Sequence, residues 1–299
     1  MHEVVVVDGV SKRYGSVLAL NKVSFTIRAG EVVALLGPNG AGKTTAMSVM
    51  LGLRRPTSGT VRLLGLEPTD LRARCRCGVM LQESGTPELL TVRELIRLFG
   101  TYYPRRLPAG EALRLSGLEE QASTRLDRLS GGQRQRLFFA LAVAGDPDVL
   151  FLDEPTVGMD VEGRHTFLDA IRRRARAGNT IVLTTHYLEE ADQLADRIIV
   201  FNRGAIVADA PPAQIKSLVG TKRLTFRFGA EPRPGLFDGL PVTDLQVDGQ
   251  TATALSTQPV VVLRAIMAAE TDLLDVAVGG ADLEEAFLHL LDGSRGRHD

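Results

Sequence analysis

The feature that most constrains this fold is one stretch, Gly37-Pro38-Asn39-Gly40-Ala41-Gly42-Lys43-Thr44-Thr45. The apolar run Val32-Val33-Ala34-Leu35-Leu36 precedes it and the helix-favouring Ala46-Met47-Ser48-Val49-Met50-Leu51 follows. A strand leads into a glycine loop and a helix leads out, and that context gives the spacing Gly-x-x-x-x-Gly-Lys-Thr physical meaning. Glycines let the backbone curl until several N–H groups face one concave spot, and the positive end of the helix dipole adds to them. Such a spot suits an anionic polyphosphate, with Lys43 reaching the terminal phosphates and the Thr44 hydroxyl holding Mg²⁺. Glycine-rich turns are ordinary in a chain with 30 glycines, yet only five lysines occur and one of them falls where this chemistry needs it.

With 299 residues, 44% apolar and 24% charged, the chain suits one full soluble domain plus a smaller one. The net charge of −1 gives no global reason to expect nucleic acid or an anionic bilayer as partner. Cys75 and Cys77 are the only cysteines, with no His or Cys pair elsewhere at ligand spacing, so neither a zinc site nor a disulfide scaffold is expected. The first residues lack a basic segment followed by a long apolar one, so no secretory signal is expected. The longest apolar stretch, Leu137 to Ala144, falls short of the roughly 20 residues of a membrane span. A cytosolic chain is expected, with any membrane role needing a separate partner.

Along the chain, the valine run 4–7 and the alternation from Val23 to Ile27 predict an antiparallel, partly exposed sheet. Between them, Tyr14 beside Gly15 either stacks on a nucleotide base or simply closes a hairpin. Val79 to Gln82 reads as a short strand ending in an amide, which can complete a metal's coordination or hold an attacking water. Apolar spacing predicts helices over Thr91–Pro104, with Leu95, Leu98, Phe99 and Tyr102 on one face, and over Gly110–Leu129. The arginines 72, 74 and 76 read as a solvated face. Ser130-Gly131-Gly132-Gln133 opens another helix with a hydroxyl and bare N–H groups, a second anion site by the same physics as the first.

Val149-Leu150-Phe151-Leu152 predicts a parallel strand buried on both faces, and Asp153 and Glu154 sit at its carboxyl end, where an open α/β sheet places its chemistry. Adjacent carboxylates there divide naturally, Asp153 holding Mg²⁺ through water and Glu154 polarising a water for in-line attack. Gly158-Met159-Asp160 is a tight turn. A second buried strand, Thr180 to Thr185, ends in His186, which can hydrogen-bond a γ-phosphate or brace the base. Beyond Gly220 the pattern changes. A strand at 222–228, a hairpin about Asp248-Gly249, a helix Val260–Ala269, a strand Leu274–Val278 and a last helix with Leu283, Ala286, Phe287, Leu290 and Leu291 on one face predict a small α+β unit without a catalytic constellation.

In this order and spacing, over residues about 3–220, these motifs resemble the ATP-binding cassette (ABC) ATPases of membrane transporters. The resemblance implies a P-loop NTPase core, α/β overall, with a RecA-like subdomain, an antiparallel β subdomain and a helical subdomain over about 83–145. Domains are accordingly expected at 1–220 and 221–292, with a tail at 293–299. It further implies Tyr14 as the base-stacking aromatic, Gly37 to Thr45 as Walker A and Gln82 as the Q-loop. Ser130 to Gln133 would be the signature, Asp153 and Glu154 Walker B with its base, Asp160 the D-loop aspartate and His186 the switch histidine. Two departures, Met80-Leu81 before Gln82 where a Pro is frequent and Met159 for the usual Leu, remove no functional group. Asp282-Leu283-Glu284-Glu285-Ala286-Phe287 is similar to the tail of the drug, lipid or polysaccharide exporter branch, including daunorubicin-resistance-type ATPases.

The resemblance thus implies an Mg²⁺-dependent ATPase and exporter subunit. Two copies would face each other head to tail, clasping ATP between the Walker A of one and the signature of the other. A cytoplasmic helix of a membrane permease would dock on the helical insertion, holding the chain at the cytoplasmic face of the membrane. The contrasting expectation is a soluble cassette protein acting on ribosomes or nucleic acid. Such proteins usually carry two cassettes or a long coiled coil, and they need a strongly basic face.

Overall fold

The computed structural model describes residues 2–81, 89–217, 222–269, 272–280 and 283–293. Gln82 and most of the expected tail lie outside the described residues.

The first of two compact units runs to Pro211. Its elements, in chain order, are β1 (Glu3–Tyr14), β2 (Val17–Arg28), β3 (Val32–Leu36), α1 (Lys43–Met50), β4 (Ser58–Leu63), α2 (Leu71–Arg74), β5 (Cys77–Met80) and α3 (Val92–Gly100). They continue as α4 (Ala109–Ser116), α5 (Gly131–Val143), β6 (Val149–Asp153), α6 (Val161–Arg176), β7 (Thr180–Thr184), α7 (Leu188–Leu194), β8 (Arg197–Asn202) and β9 (Ala205–Ala210). The unit is α/β. Its main sheet has the order β5-β6-β7-β3-β8-β9, parallel except for β9. Strands β3, β6 and β7 are buried at every residue, as strands covered on both faces must be. A second sheet, β2-β1-β4, is antiparallel, and β2 alternates buried and exposed residues toward its end. One apolar core joins Val5, Val7, Leu20, Phe25 and Ile27 of that sheet to Met47 and Met50 of α1 and to Phe151 and Phe201 of the main sheet. It clamps the glycine loop between the two sheets.

The helical insertion differs in two ways from its sequence pattern. The second expected helix stops at Ser116, not Leu129. Gly117 adopts φ +63°, and the Ser116 hydroxyl donates back to the carbonyls of Ala112 and Leu113 at 2.9 and 3.0 Å, which ends the helix as an αL cap does. The chain resumes only as a single 3₁₀ turn, Leu126–Arg128. In α3 the buried face is Val92, Leu95, Ile96 and Gly100, so Leu98 and Tyr102 turn outward, 36% and 66% exposed. The Thr91–Glu94 capping box fixes where α3 begins. The arginines at 72, 74 and 76 are all exposed, as a solvated face should be, and each also makes polar contacts. Arg72 pairs with Asp70, Arg74 donates to the carbonyls of Pro68 and Gly52, and Arg76 pairs with Asp148.

The second unit begins at Pro212, so a helix counted with residues 1–220 in the sequence belongs to it. It comprises α8 (Pro212–Ser217), β10 (Lys222–Phe228), β11 (Thr243–Asp248), β12 (Thr251–Ser256), α9 (Pro259–Ala269), β13 (Leu273–Gly280) and α10 (Leu283–Gly293). The sheet is antiparallel with order β11-β12-β10-β13. Leu224, Phe226 and Phe228 on one face of β10 meet Val262 and Ile266 of α9. Leu283 and Ala286 of α10 are buried, and that helix packs against α8 within its own unit.

Candidate active site

Strand register brings the candidate groups to one edge. Leu35 of β3 lies beside Thr184 of β7, which lies beside Asp153 of β6. The loops leaving these three strands, with Gly37 to Gly42, Glu154 and His186, therefore issue together from the carboxyl ends of the parallel strands. Strand β5 ends with Met80 beside Leu152, at the same edge.

The glycine loop is tightly seated. A Cβ on Gly37 would lie 2.4 Å from the Phe201 carbonyl oxygen, and one on Gly42 would lie 2.6 Å from that of Ala19, with φ at +110°. Neither backbone neighbour can give way, so both positions require glycine. Ala41 is buried, while Pro38, Asn39 and Gly40 face solvent, as a loop that receives a ligand must. Gly42 caps α1 without any side-chain hydrogen bond, leaving the first-turn N–H groups for an acceptor from outside. Lys43, the first residue of α1, is 6% exposed, and its Nζ donates to the carbonyls of Gly37 at 2.7 Å and Pro38 at 3.2 Å. Burial lowers its pKa, against the opposing pull of Glu154 and Asp153. Thr44 is exposed, and Thr45 is partly so.

Asp153 is 3% exposed. Its Oδ1 accepts the Thr184 hydroxyl at 2.5 Å. Burial raises its pKa, with Glu154 adding to the rise and the Thr184 bond, Lys43 and Thr44 opposing it. A desolvated carboxylate beside an exposed hydroxyl is a hard-oxygen donor set, which fits Mg²⁺ completed by phosphate oxygens and water. No group of three His, Cys, Asp or Glu that could hold a metal occurs among the described residues.

Glu154 has φ +47°, unusual for a residue with a side chain. Its N–H donates to the Thr184 hydroxyl at 2.9 Å and to the Thr184 carbonyl at 3.1 Å, holding that conformation. The Glu154 Oε2 comes within 3.5 Å of His186 Nδ1. The sequence reading missed Thr184 because a threonine in a buried strand carries no motif; only its place at the strand's carboxyl end hints at it.

Ser130 caps α5. Its hydroxyl accepts the Gln133 N–H at 3.2 Å, and the Gln133 side chain accepts the Ser130 N–H at 2.9 Å. Helix α5 has β5, α3 and α4 as its main neighbours, and Gly131 and Gly132 pack on Gly158 and Met159 of the turn before Asp160. Asp160 caps α6, accepting the Gly163 N–H at 2.9 Å, and is itself exposed. Tyr14 ends β1 at 43% exposure, opposite Val17 across the hairpin turn, with the Lys12 ammonium 5.1 Å from its ring centroid. Tyr14 closes the hairpin and also leaves a ring face open to solvent.

The ABC transporter family model matches residues 20–157. The chain is 40% identical over 292 residues to "Nod factor export ATP-binding protein I" of Burkholderia lata, covering 94% of each protein. It is 36% identical to "Daunorubicin resistance ATP-binding protein DrrA3" of Streptomyces coeruleorubidus, covering 97% of this chain and 96% of that one. Among solved structures, the ATP-binding subunit of an ABC transporter superposes with a TM-score of 0.66 at 29% identity, over 73% of this chain and 93% of that one. A dimeric ATP-binding cassette in a post-hydrolysis state, bound to ADP and Pi, gives a TM-score of 0.63 at 27% identity, over 69% and 98%.

Proposed function

From the premise that the chain belongs to the ABC transporter family and is an ATP-binding ATPase subunit, we propose that it powers export of a drug-like, lipid or polysaccharide substrate through a separate membrane permease. The carrying observation is the convergence of Lys43, Asp153, Glu154 and His186 at one sheet edge in a relative of export ATP-binding proteins. No helix among the described residues is long and apolar enough to cross a membrane.

In the proposed reaction, the loop N–H groups and the α1 dipole bind the ATP phosphates. Lys43 exchanges its two carbonyl partners for phosphate oxygens, and Tyr14 offers its open face to the base. Thr44 and Asp153 would hold Mg²⁺, with Gln82 as a further ligand; the ion supplies charge neutralisation at the phosphates. Glu154 accepts the proton of a water that attacks the γ-phosphorus as the bond to the β-phosphate oxygen breaks. His186 braces Glu154 and touches the departing phosphate. Ser130-Gly131-Gly132-Gln133 and Asp160 act on the nucleotide of a second copy, placed head to tail, so that ATP joins the subunits and its cleavage lets them separate.

Docking expected on the helical insertion would extend to its edge, where Tyr103 of the insertion and Leu51, Leu53, Leu63, Val79 and Leu81 outside it line a hollow of about 350 Å³ that suits an apolar helix of the permease. Docking there would hold the chain at the cytoplasmic face of the membrane. The net charge of −1 gives no global reason to expect nucleic acid as a partner.

Glu154→Gln tests the reading. It is expected to bind ATP normally, to lose turnover by on the order of 10²–10⁴-fold, and to elute as a dimer from gel filtration only with ATP. An active Glu154→Gln protein removes Glu154 from the base role. An unchanged monomer removes the shared nucleotide.

A further inference from the structure

One buried carboxylate takes no part in the chemistry above, yet it touches both loops that carry it. Glu190 of α7 is 2% exposed. One of its oxygens accepts the Thr156 hydroxyl at 2.6 Å and the other accepts the Thr185 hydroxyl at 2.8 Å. Thr156 lies in the segment between Glu154 and Asp160, and Thr185 immediately precedes His186. The Thr185 oxygen also accepts the Tyr187 N–H at 3.0 Å, so the turn bearing His186 hangs from the same carboxylate.

A second route leads from Glu190 to the histidine. Arg164 of α6 sits 3.8 Å from Glu190, and its guanidinium lies 4.0 Å over the Tyr187 ring. That ring in turn lies 4.1 Å from the His186 ring. A buried carboxylate is costly to desolvate, and an apolar side chain would fill the same space at less expense, so Glu at this position calls for a reason beyond packing. The two hydroxyl bonds supply one. They tie two loops from different strands to a single rigid group, so neither loop can shift without straining a buried, charge-assisted bond.

We propose that Glu190 is a positioning residue that locks the segment 154–160 to the His186 turn, holding Glu154 and His186 in register and making the Asp160 turn move with them. The inference rests on the roles assigned to Glu154 and His186. It explains how a change at the Asp160 turn, where a second copy would bear, reaches the group that moves the proton.

The test uses the full chain and measures steady-state ATPase, affinity for a non-hydrolysable ATP analogue, and the folded fraction by circular dichroism. Glu190→Ala is expected to lower kcat about tenfold or more while analogue affinity stays within about twofold. Glu190→Gln, whose amide oxygen accepts one hydroxyl and whose NH₂ donates to the other, is expected to restore kcat to within about threefold of the parent. Should Glu190→Ala fail to fold, Thr156→Val and Thr185→Val each remove one arm alone, and each is expected to lower kcat with affinity unchanged. Parent-like kcat in all variants overturns the proposal. So does a kcat that falls only in step with the folded fraction, or a Glu190→Gln protein no better than Glu190→Ala. Lys43→Ala separates the two levels: if it retains full turnover the ATPase site assignment falls, whereas an inactive Lys43→Ala beside fully active Glu190 variants overturns the locking role alone.

Discussion

Asp153 is where stability and function pull in opposite directions. Burial raises its pKa, so its ionised form is disfavoured in the empty fold. A carboxyl whose folded-state pKa is raised lends stability below the ordinary carboxylate range and loses it as pH rises through the folded value. At neutral pH the ionised group therefore costs stability that a bound cation would return. Asp153→Asn keeps an oxygen for the Thr184 hydroxyl and removes the charge. It is expected to melt at a higher temperature than the parent at pH 7 without nucleotide or Mg²⁺, by differential scanning calorimetry. That gain is expected to vanish below about pH 4, where both side chains are neutral, and the variant is expected to lose Mg²⁺-dependent ATPase. Lys43, Asp153 and Glu154 were legible because phosphate chemistry demands those residue types at strand ends. Thr184, Thr185, Thr156 and Glu190 were not, because a hydroxyl or a carboxylate inside ordinary-looking elements gains meaning only from partners 5 to 34 residues away.

At the scale of elements, helix N-termini position the loops of the site, and the N-cap residue Ser130 has two separable jobs. Ser130 holds α5 through a reciprocal capping box, and its N-terminus would also face a phosphate. Ser130→Ala is expected to lower stability by about 1 kcal/mol through the lost cap. Ser130→Asp restores an acceptor for the Gln133 N–H, so its Tm is expected to return toward the parent while ATPase stays low, because a carboxylate repels the γ-phosphate. Recovery of both properties together would show that capping is the only role of Ser130. The same local physics accounts for the helix that the sequence placed wrongly. Apolar spacing continues past Ser116, but Gly117 in the left-handed region and the back-bonded Ser116 hydroxyl stop α4. The Ser116-Gly117 pair was visible in the sequence, and the periodicity of its neighbours obscured it.

At the scale of the whole molecule, the division falls at Pro211 and Pro212, and this decides where the chain can be cut. Helix α8 buries Ile215 and packs with α10, so it belongs to the second unit. A chain ending at Pro211 is expected to fold cooperatively and to retain nucleotide binding, because the core around α1 and the main sheet lies wholly within it. A chain ending at residue 220 keeps α8 without α10 and exposes Ile215. It is expected to bind more ANS than the shorter chain and to self-associate on gel filtration. Equal behaviour of the two would mean that α8 finds its cover elsewhere.

What the sequence determined by itself was the phosphate loop, the buried parallel strands with acids at their ends, and the change of character after the first unit. Each follows from spacing between near neighbours, where backbone geometry and hydrophobic period act directly. Register came from the tertiary fold alone: Leu35, Thr184 and Asp153 lie side by side, and one carboxylate on α7 joins the loops that follow β6 and β7. Those relations join residues far apart in the chain, and they exist only once sheet pairing has removed the alternatives.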